Sequence, residues 1–208
     1  MRLIVGISGA SGVAYGIRLL RALGALGVES HLVMTRAGEM TLAYETDLSP
    51  QQVRALAHAS YPPGDVGAPI ASGSFRTAGM IVAPCSIRSM SEIATGATST
   101  LLTRAADVCL KERRRLVLMV RETPLHLGHL RTMTQLAELG AIIAPAMPAL
   151  YPKPQSMDEV IDHTVGRLLD LFDIDAGLAH RWREAPDRGA EIRRPEHDSP
   201  IRLARPDR

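Results

Sequence analysis

Short apolar runs at residues 3–7, 31–35, 79–83, 116–120 and 141–144 alternate with stretches of helical spacing, and this alternation constrains the fold more than any other feature. A strand that rejoins a parallel neighbour needs a crossover of a dozen or more residues, usually a helix. Repeated strand-then-helix units therefore predict an α/β fold: a three-layer αβα sandwich on a Rossmann-like or flavodoxin-like parallel sheet. No internal repeat is visible. The 208 residues suit a single domain, expected over 1–185. Past Trp182 the composition turns to Arg, Pro, Asp and Glu, so 186–208 are expected to be a disordered tail.

The first strand ends in Ser8-Gly9-Ala10-Ser11-Gly12, after which Tyr15, Leu19, Leu20, Leu23 and Leu26 follow helical spacing. Glycines let backbone N–H groups approach an anion, the helix start adds partial positive charge, and Ser8 and Ser11 carry hydroxyl donors. A phosphate suits such a turn. The spacing Gly6-x-x-Gly9-x-x-Gly12 is neither the dinucleotide fingerprint nor a P-loop, so a purely structural turn is the competing reading. Thr35, at the second strand's end, is either a ligand hydroxyl or, the commoner role, the cap of a helix over 36–45. Ser49-Pro50 marks another cap and first turn, opening a helix to about residue 59. Residues 61–75, rich in Pro, Gly and Ser, read as a long loop.

The third strand leads into Pro84-Cys85-Ser86 and a helical stretch with Met90, Ile93 and Ala94. Ser86 suits a helix cap or a hydrogen bond to a ring system. Cys85 and Cys109 fit small buried apolar residues better than nucleophiles. A helix over 101–111 puts Arg104 and Lys111 seven residues apart on about one face, and its charged end suits a solvated terminus for Arg113, Arg114 and Arg115. Strand 116–120 then stops at Arg121-Glu122-Thr123-Pro124. Open α/β sheets bind ligands beyond the carboxyl ends of their strands, so this cation and carboxylate are placed for chemistry. His126 and His129, near the start of a helix over 125–139, lack an obvious third metal ligand and read as surface or capping residues. Tyr151 stands in a Pro-rich loop, 145–154, where its phenol either reaches a ligand or packs. The last helix, over 157–172, carries Arg167.

A formal net charge of +2 is too small for a nucleic-acid surface, and no run approaches the ~20 apolar residues of a membrane span. Two cysteines without zinc-site spacing, and a strand where a signal peptide would stand, predict a soluble protein of a reducing cytoplasm. No metal site is expected.

Several stretches taken together are more specific than any one of them. Gly9-Ala10-Ser11-Gly12 with Tyr15-Gly16, Glu45-Thr46-Asp47, Ala71-Ser72-Gly73-Ser74, Ala83-Pro84-Cys85-Ser86, the Arg104-to-Arg114 segment, Arg121-Glu122-Thr123-Pro124 and the loop to Tyr151 resemble the UbiX family of flavin prenyltransferases, in the family's order, over about 3–175. The resemblance implies alkylation of reduced FMN by dimethylallyl monophosphate at N5 and C6. The product, prenylated FMN, serves a UbiD-type decarboxylase. It further implies FMN binding at Gly9, Ala10, Ser11, Gly12, Thr35, Ser86 and Arg104, and prenyl-phosphate binding at Lys111, Arg121, Tyr151 and Arg167, some of them across a subunit interface. Glu122 is implied as the acid/base, with Glu45 and Ser11 also at the reacting centre, in a homo-oligomer, usually a dodecamer, that needs no metal.

Elementary chemistry agrees with that set. Breaking an allylic C–O bond builds positive charge on the prenyl fragment and negative charge on the phosphate, which preorganised cations stabilise. Where many members carry a pocket aromatic before Ser-Gly-Ser, this chain has Asp65-Val66-Gly67-Ala68, so Tyr61 or Phe75 is the expected substitute. Ser99-Thr100 and Thr35 are smaller departures. Two other readings are an FMN-dependent cysteine decarboxylase, against which stand Pro148 after Met147 and the lack of any Asn, and a noncatalytic FMN-binding subunit of a decarboxylase.

Overall fold

Strands β1 (Arg2–Ile7), β2 (Glu29–Met34), β3 (Ala59–Tyr61), β4 (Gly79–Cys85), β5 (Arg115–Val120) and β6 (Ile142–Ile143) form a sheet in the order β3-β2-β1-β4-β5-β6, every neighbouring pair parallel. The structure, a computed structural model, describes residues 1–182; the tail expected at 186–208 lies outside them. Helices α1 (Val13–Ala25), α2 (Arg36–Glu45), α3 (Pro50–Arg54), α4 (Ile87–Thr95), α5 (Leu101–Lys111), α6 (Leu127–Glu138) and α7 (Met157–Asp170) make the crossovers and flanking layers.

Side chains alternate along each strand, and both faces are apolar. Leu3, Val5 and Ile7 of β1 point into one core with α1 and α7, while Ile4 points into a second core with α4 and α5. A strand buried on both faces belongs in the middle of a parallel sheet, and β1 is there. The order of connection reverses between β1 and β4, so the crevice for a ligand opens where Ser8–Gly12 and Ser86 leave the sheet.

The sequence reading departs from the structure at the β3 edge. The helix capped by Ser49 stops at Arg54 rather than near 59, although Ser49 caps it as expected, in a capping box with Gln52. Residues 59–61 instead pair with 31–33 of β2, and Pro62-Pro63 end the pairing because proline donates no ladder hydrogen bond.

Candidate active site

The crevice is pinned by Ser8. Its hydroxyl is fully buried, donates to the Pro84 carbonyl at 2.9 Å and accepts from the Ser86 N–H at 2.7 Å. The expectation that Ser8 serves a ligand is therefore corrected: it ties the turn after β1 to the turn after β4. Ser11 is exposed and its hydroxyl has no partner among the described residues. Ala10 is buried.

At the start of α1 the seat suited to a phosphate holds a carboxylate. Glu45, from the last turn of α2, accepts from Gly12 N–H at 2.8 and 3.0 Å and from Val13 N–H at 3.1 Å. Gly12 caps α1 with a φ of 102°, a left-handed conformation natural to glycine, and offers no side chain of its own. A Cβ on Gly12 would lie 3.1 Å from Arg121 Cδ. Arg121 thus lies beside the Glu45 seat, and its guanidinium makes no hydrogen bond or ion pair among the described residues. Burial pushes the neighbouring Tyr15 phenol up, an effect the Arg121 cation opposes.

Next to this seat lies a cavity of about 640 Å³, of a size that suits a cofactor, lined among others by Gly9, Thr35, Pro63, Ser86, Arg88 and Thr100. Helices α2 and α4 both begin at its wall. Thr35 accepts from the Gly38 N–H at 3.0 Å, which bears out its capping role, and its hydroxyl proton has no acceptor among the described residues. Ser86 accepts from the Ser89 N–H and donates to the Ser89 hydroxyl at 3.2 Å. Three helix starts, those of α2, α4 and α5, and a free hydroxyl proton fit an anionic ligand, while Arg54 and Arg88 of the same lining pair with Glu39 and Glu92. Sequence reasoning missed Arg36 and Arg88, which line the cavity from the first turns of α2 and α4. A cation in a first turn opposes the helix dipole, and that placement is the signal that was available.

The remaining predicted residues divide. Arg104 donates to the Ala71 carbonyl at 3.2 Å and to Asp107 at 2.7 Å, and Lys111 pairs with Glu112 at 2.5 Å beside Gly73. Arg114 is not the solvated end expected, since it donates to the carbonyls of Phe75, at 2.7 Å, and Gly73. Arg115 reaches the Leu171 carbonyl and lies over the Phe172 ring. On α7, Arg167 pairs with Asp170 at 2.6 Å, while Tyr151 donates to the His180 carbonyl at 2.6 Å. Glu122 is exposed and accepts from the Thr123 N–H.

Helix α5 packs into one core and α7 into the other, on opposite faces of the sheet. One chain therefore brings Arg121, Gly12 and Glu45 together but does not bring Lys111 to Tyr151 and Arg167. The ion pairs that hold Lys111 and Arg167 lie at the surface, where such pairs are weak.

Tyr61 and Phe75, the expected aromatic substitutes, both pack on His31: its ring stacks on Tyr61 at 5.9 Å and meets Phe75 edge-on at 5.1 Å. Arg2 lies over the Phe75 ring, 4.9 Å from its centroid, and neither aromatic lines the cavity. His126 accepts from the Gly128 and His129 N–H groups and caps α6. Both cysteines are buried, with thiols pushed up to about 12, which agrees with a packing role.

A doubly wound parallel sheet with a crevice at its switch point, walled by helix starts, defines an α/β protein of the Rossmann-like or flavodoxin-like class. The profile of the Flavoprotein family matches residues 1–174. A flavin prenyltransferase UbiX of Thauera aromatica is 56% identical over 182 residues, covering 88% of this chain and 94% of the relative. The solved structure of AnUbiX in complex with FMN and dimethylallyl pyrophosphate superposes with a TM-score of 0.87 at 50% identity, covering 88% of this chain and 98% of that one. A dodecameric FMN-dependent UbiX-like decarboxylase from Escherichia coli O157:H7 superposes with a TM-score of 0.86 at 46% identity, covering 88% and 100%. The chain belongs to the UbiX family of flavin prenyltransferases, within the Flavoprotein family.

Proposed function

We propose that this protein joins the dimethylallyl group of dimethylallyl monophosphate to N5 and C6 of reduced FMN, and that the prenylated FMN is passed to a UbiD-type decarboxylase. The observation that carries the reading is the cavity walled by the starts of α2 and α4, adjoining the Gly12 turn, which Arg121 and Glu45 both approach. Support comes from the half-identical AnUbiX, which binds FMN and dimethylallyl pyrophosphate.

Bound FMN supplies the nucleophilic ring atoms of the reaction. Gly9, Ala10, Ser11 and Gly12 form the turn against it, with Thr35 donating its free hydroxyl proton and Ser86 and Arg104 completing the binding set. Lys111, Arg121, Tyr151 and Arg167 hold the leaving phosphate and stabilise its growing charge, the electrostatic contribution that dominates such a bond cleavage. Glu122, exposed at the end of β5, takes up and returns the proton during ring closure. Glu45 holds the α1 terminus and faces the reacting centre with Ser11.

Because α5 and α7 lie on opposite faces of the sheet, the phosphate set closes only when a second subunit supplies part of it. The surface suits such assembly: Leu125, Leu127, Leu130 and Leu139 stand exposed around α6, and Met147 and Leu150 are 76% and 75% exposed. A homo-oligomer, with the dodecamer of the Escherichia coli neighbour as its form, covers them. Two cysteines in a long chain, both free and buried, suit a reducing compartment, and the reaction is assigned to the cytoplasm; among the described residues no helix is long and apolar enough to cross a membrane.

The cysteine-decarboxylase and accessory-subunit readings are not favoured, since relatives matching most of the chain are flavin prenyltransferases. A coupled assay tests the proposal. An FMN-free UbiD-type decarboxylase should gain activity only when this protein, reduced FMN and dimethylallyl monophosphate are all supplied. Activation by FMN alone would count against it.

A further inference from the structure

His163 of α7 is only 7% exposed, and no step above uses it. Its Nε2 lies 3.0 Å from the Tyr151 hydroxyl, with the two rings edge to face at 5.5 Å between centroids. The same hydroxyl lies 2.6 Å from the His180 carbonyl oxygen. A carbonyl only accepts, and a phenol has one proton to give. With that proton directed to the His180 carbonyl, the hydrogen of the second contact is assigned to the imidazole, whose N–H lies against both the phenol oxygen and the His180 backbone.

We propose that His163 is a positioning residue for Tyr151 in the binding of the prenyl phosphate donor. The inference rests on the prenyltransferase reading and deepens it. Tyr151 comes from a loop without regular structure and is 44% exposed, so its own backbone does little to place the hydroxyl. His163 does so from a rigid helix. Arg167, another residue of the phosphate set, is four positions further along α7 and hence on the same face. The imidazole therefore registers a neutral donor against a cation on one helix.

The arrangement also leaves the phenol proton transferable. When a phosphate oxygen arrives, the O–H turns from the His180 carbonyl to the phosphate while the His163 N–H keeps hold of the oxygen. One hydrogen bond is exchanged for another and the ring stays in place. A donor to the phenol oxygen also polarises the O–H and makes it a better donor to the phosphate.

The purified full chain, loaded with reduced FMN under anaerobic conditions, is assayed for prenylated flavin against dimethylallyl monophosphate concentration. His163→Leu fills the site but has no N–H; it should raise the KM for the donor about threefold to tenfold, the usual worth of one hydrogen bond, with FMN affinity and melting temperature close to wild type. His163→Gln restores an N–H and should recover most of the loss, which a packing role would not predict. In a double-mutant cycle, adding His163→Leu to Tyr151→Phe should cost little more than Tyr151→Phe alone.

A wild-type KM in His163→Leu, or losses that multiply independently with Tyr151→Phe, overturns the assignment. A His163→Leu protein that melts early and is not recovered by Gln also overturns it, in favour of core packing. If wild type itself makes no prenylated flavin, the prenyltransferase reading fails first and takes this one with it.

Discussion

The Glu45 carboxylate lies 2.8 Å from the Gly12 backbone nitrogen, capping α1 from a helix 33 residues further along the chain. Gly12 contributes no side-chain cap, and Glu45 instead satisfies the Gly12 and Val13 N–H groups and complements the positive end of the dipole. The carboxylate thus occupies the N–H groups that a phosphate would otherwise use at the start of α1.

Glu45→Ala should leave the Gly12 and Val13 N–H groups without their partner. The expected loss is about 1 kcal/mol of stability, the typical worth of a cap, and a melting temperature lower by about 2–4 °C. Glu45→Gln keeps one acceptor and should lose less. Calorimetry of the three proteins checks the order; equal melting temperatures would show that the contact is incidental.

Gly9→Ala should distort the cavity without touching a polar group. A Cβ there would sit 2.4 Å from the Ala37 Cβ, closer than packing allows, so α2 must shift with Thr35 at its start. Overpacking of this kind costs about 1–3 kcal/mol. Flavin affinity measured by fluorescence quenching should fall together with thermal stability, whereas normal affinity would place the ligand elsewhere.

Lys111→Ala and Arg167→Ala should each cut turnover by about two to three orders of magnitude, as loss of a charge-stabilising group does. Because α5 and α7 lie on opposite faces of the sheet, co-assembled oligomers of the two variants should contain some sites with both cations restored. Recovery of activity in the mixture supports a site shared between subunits. A mixture no better than its parents contradicts it.

Stability should fall in acid through His31. Burial holds its imidazole below the usual value despite the Glu29 carboxylate, so folding favours the neutral ring. The contribution is complete above the ordinary histidine pKa of about 6.5 and is lost as pH falls through the lower folded-state value. His31→Gln should show a smaller drop in melting temperature between about pH 7.5 and about pH 5.5, on either side of the ordinary imidazole value. His163, also held low by burial, stays in both proteins, so their difference isolates His31. Parallel pH profiles would remove the role.

The alternation of strands and helices, the Gly-rich turn and the caps at Thr35, Ser49 and Ser86 are legible in the sequence because they depend on neighbours within a few residues. The commitments of Ser8 and Glu45 are not, because their partners lie 76 to 78 and 32 to 33 residues away. β3 is equally hidden: three residues pair only because β2 offers an edge. Arg114 looks like part of a solvated charge run until the loop at Gly73 and Phe75 folds onto it. Lys111 and Arg167 look like one cradle in a list of charges, and the sheet between their helices divides them.

The most direct test is mass spectrometry of flavin extracted after anaerobic incubation with reduced FMN and dimethylallyl monophosphate, with Glu122→Gln run in parallel. A flavin carrying one added five-carbon unit, strongly diminished in the variant, is the predicted result. Unmodified FMN recovered from wild-type protein that demonstrably binds both ligands would contradict the account.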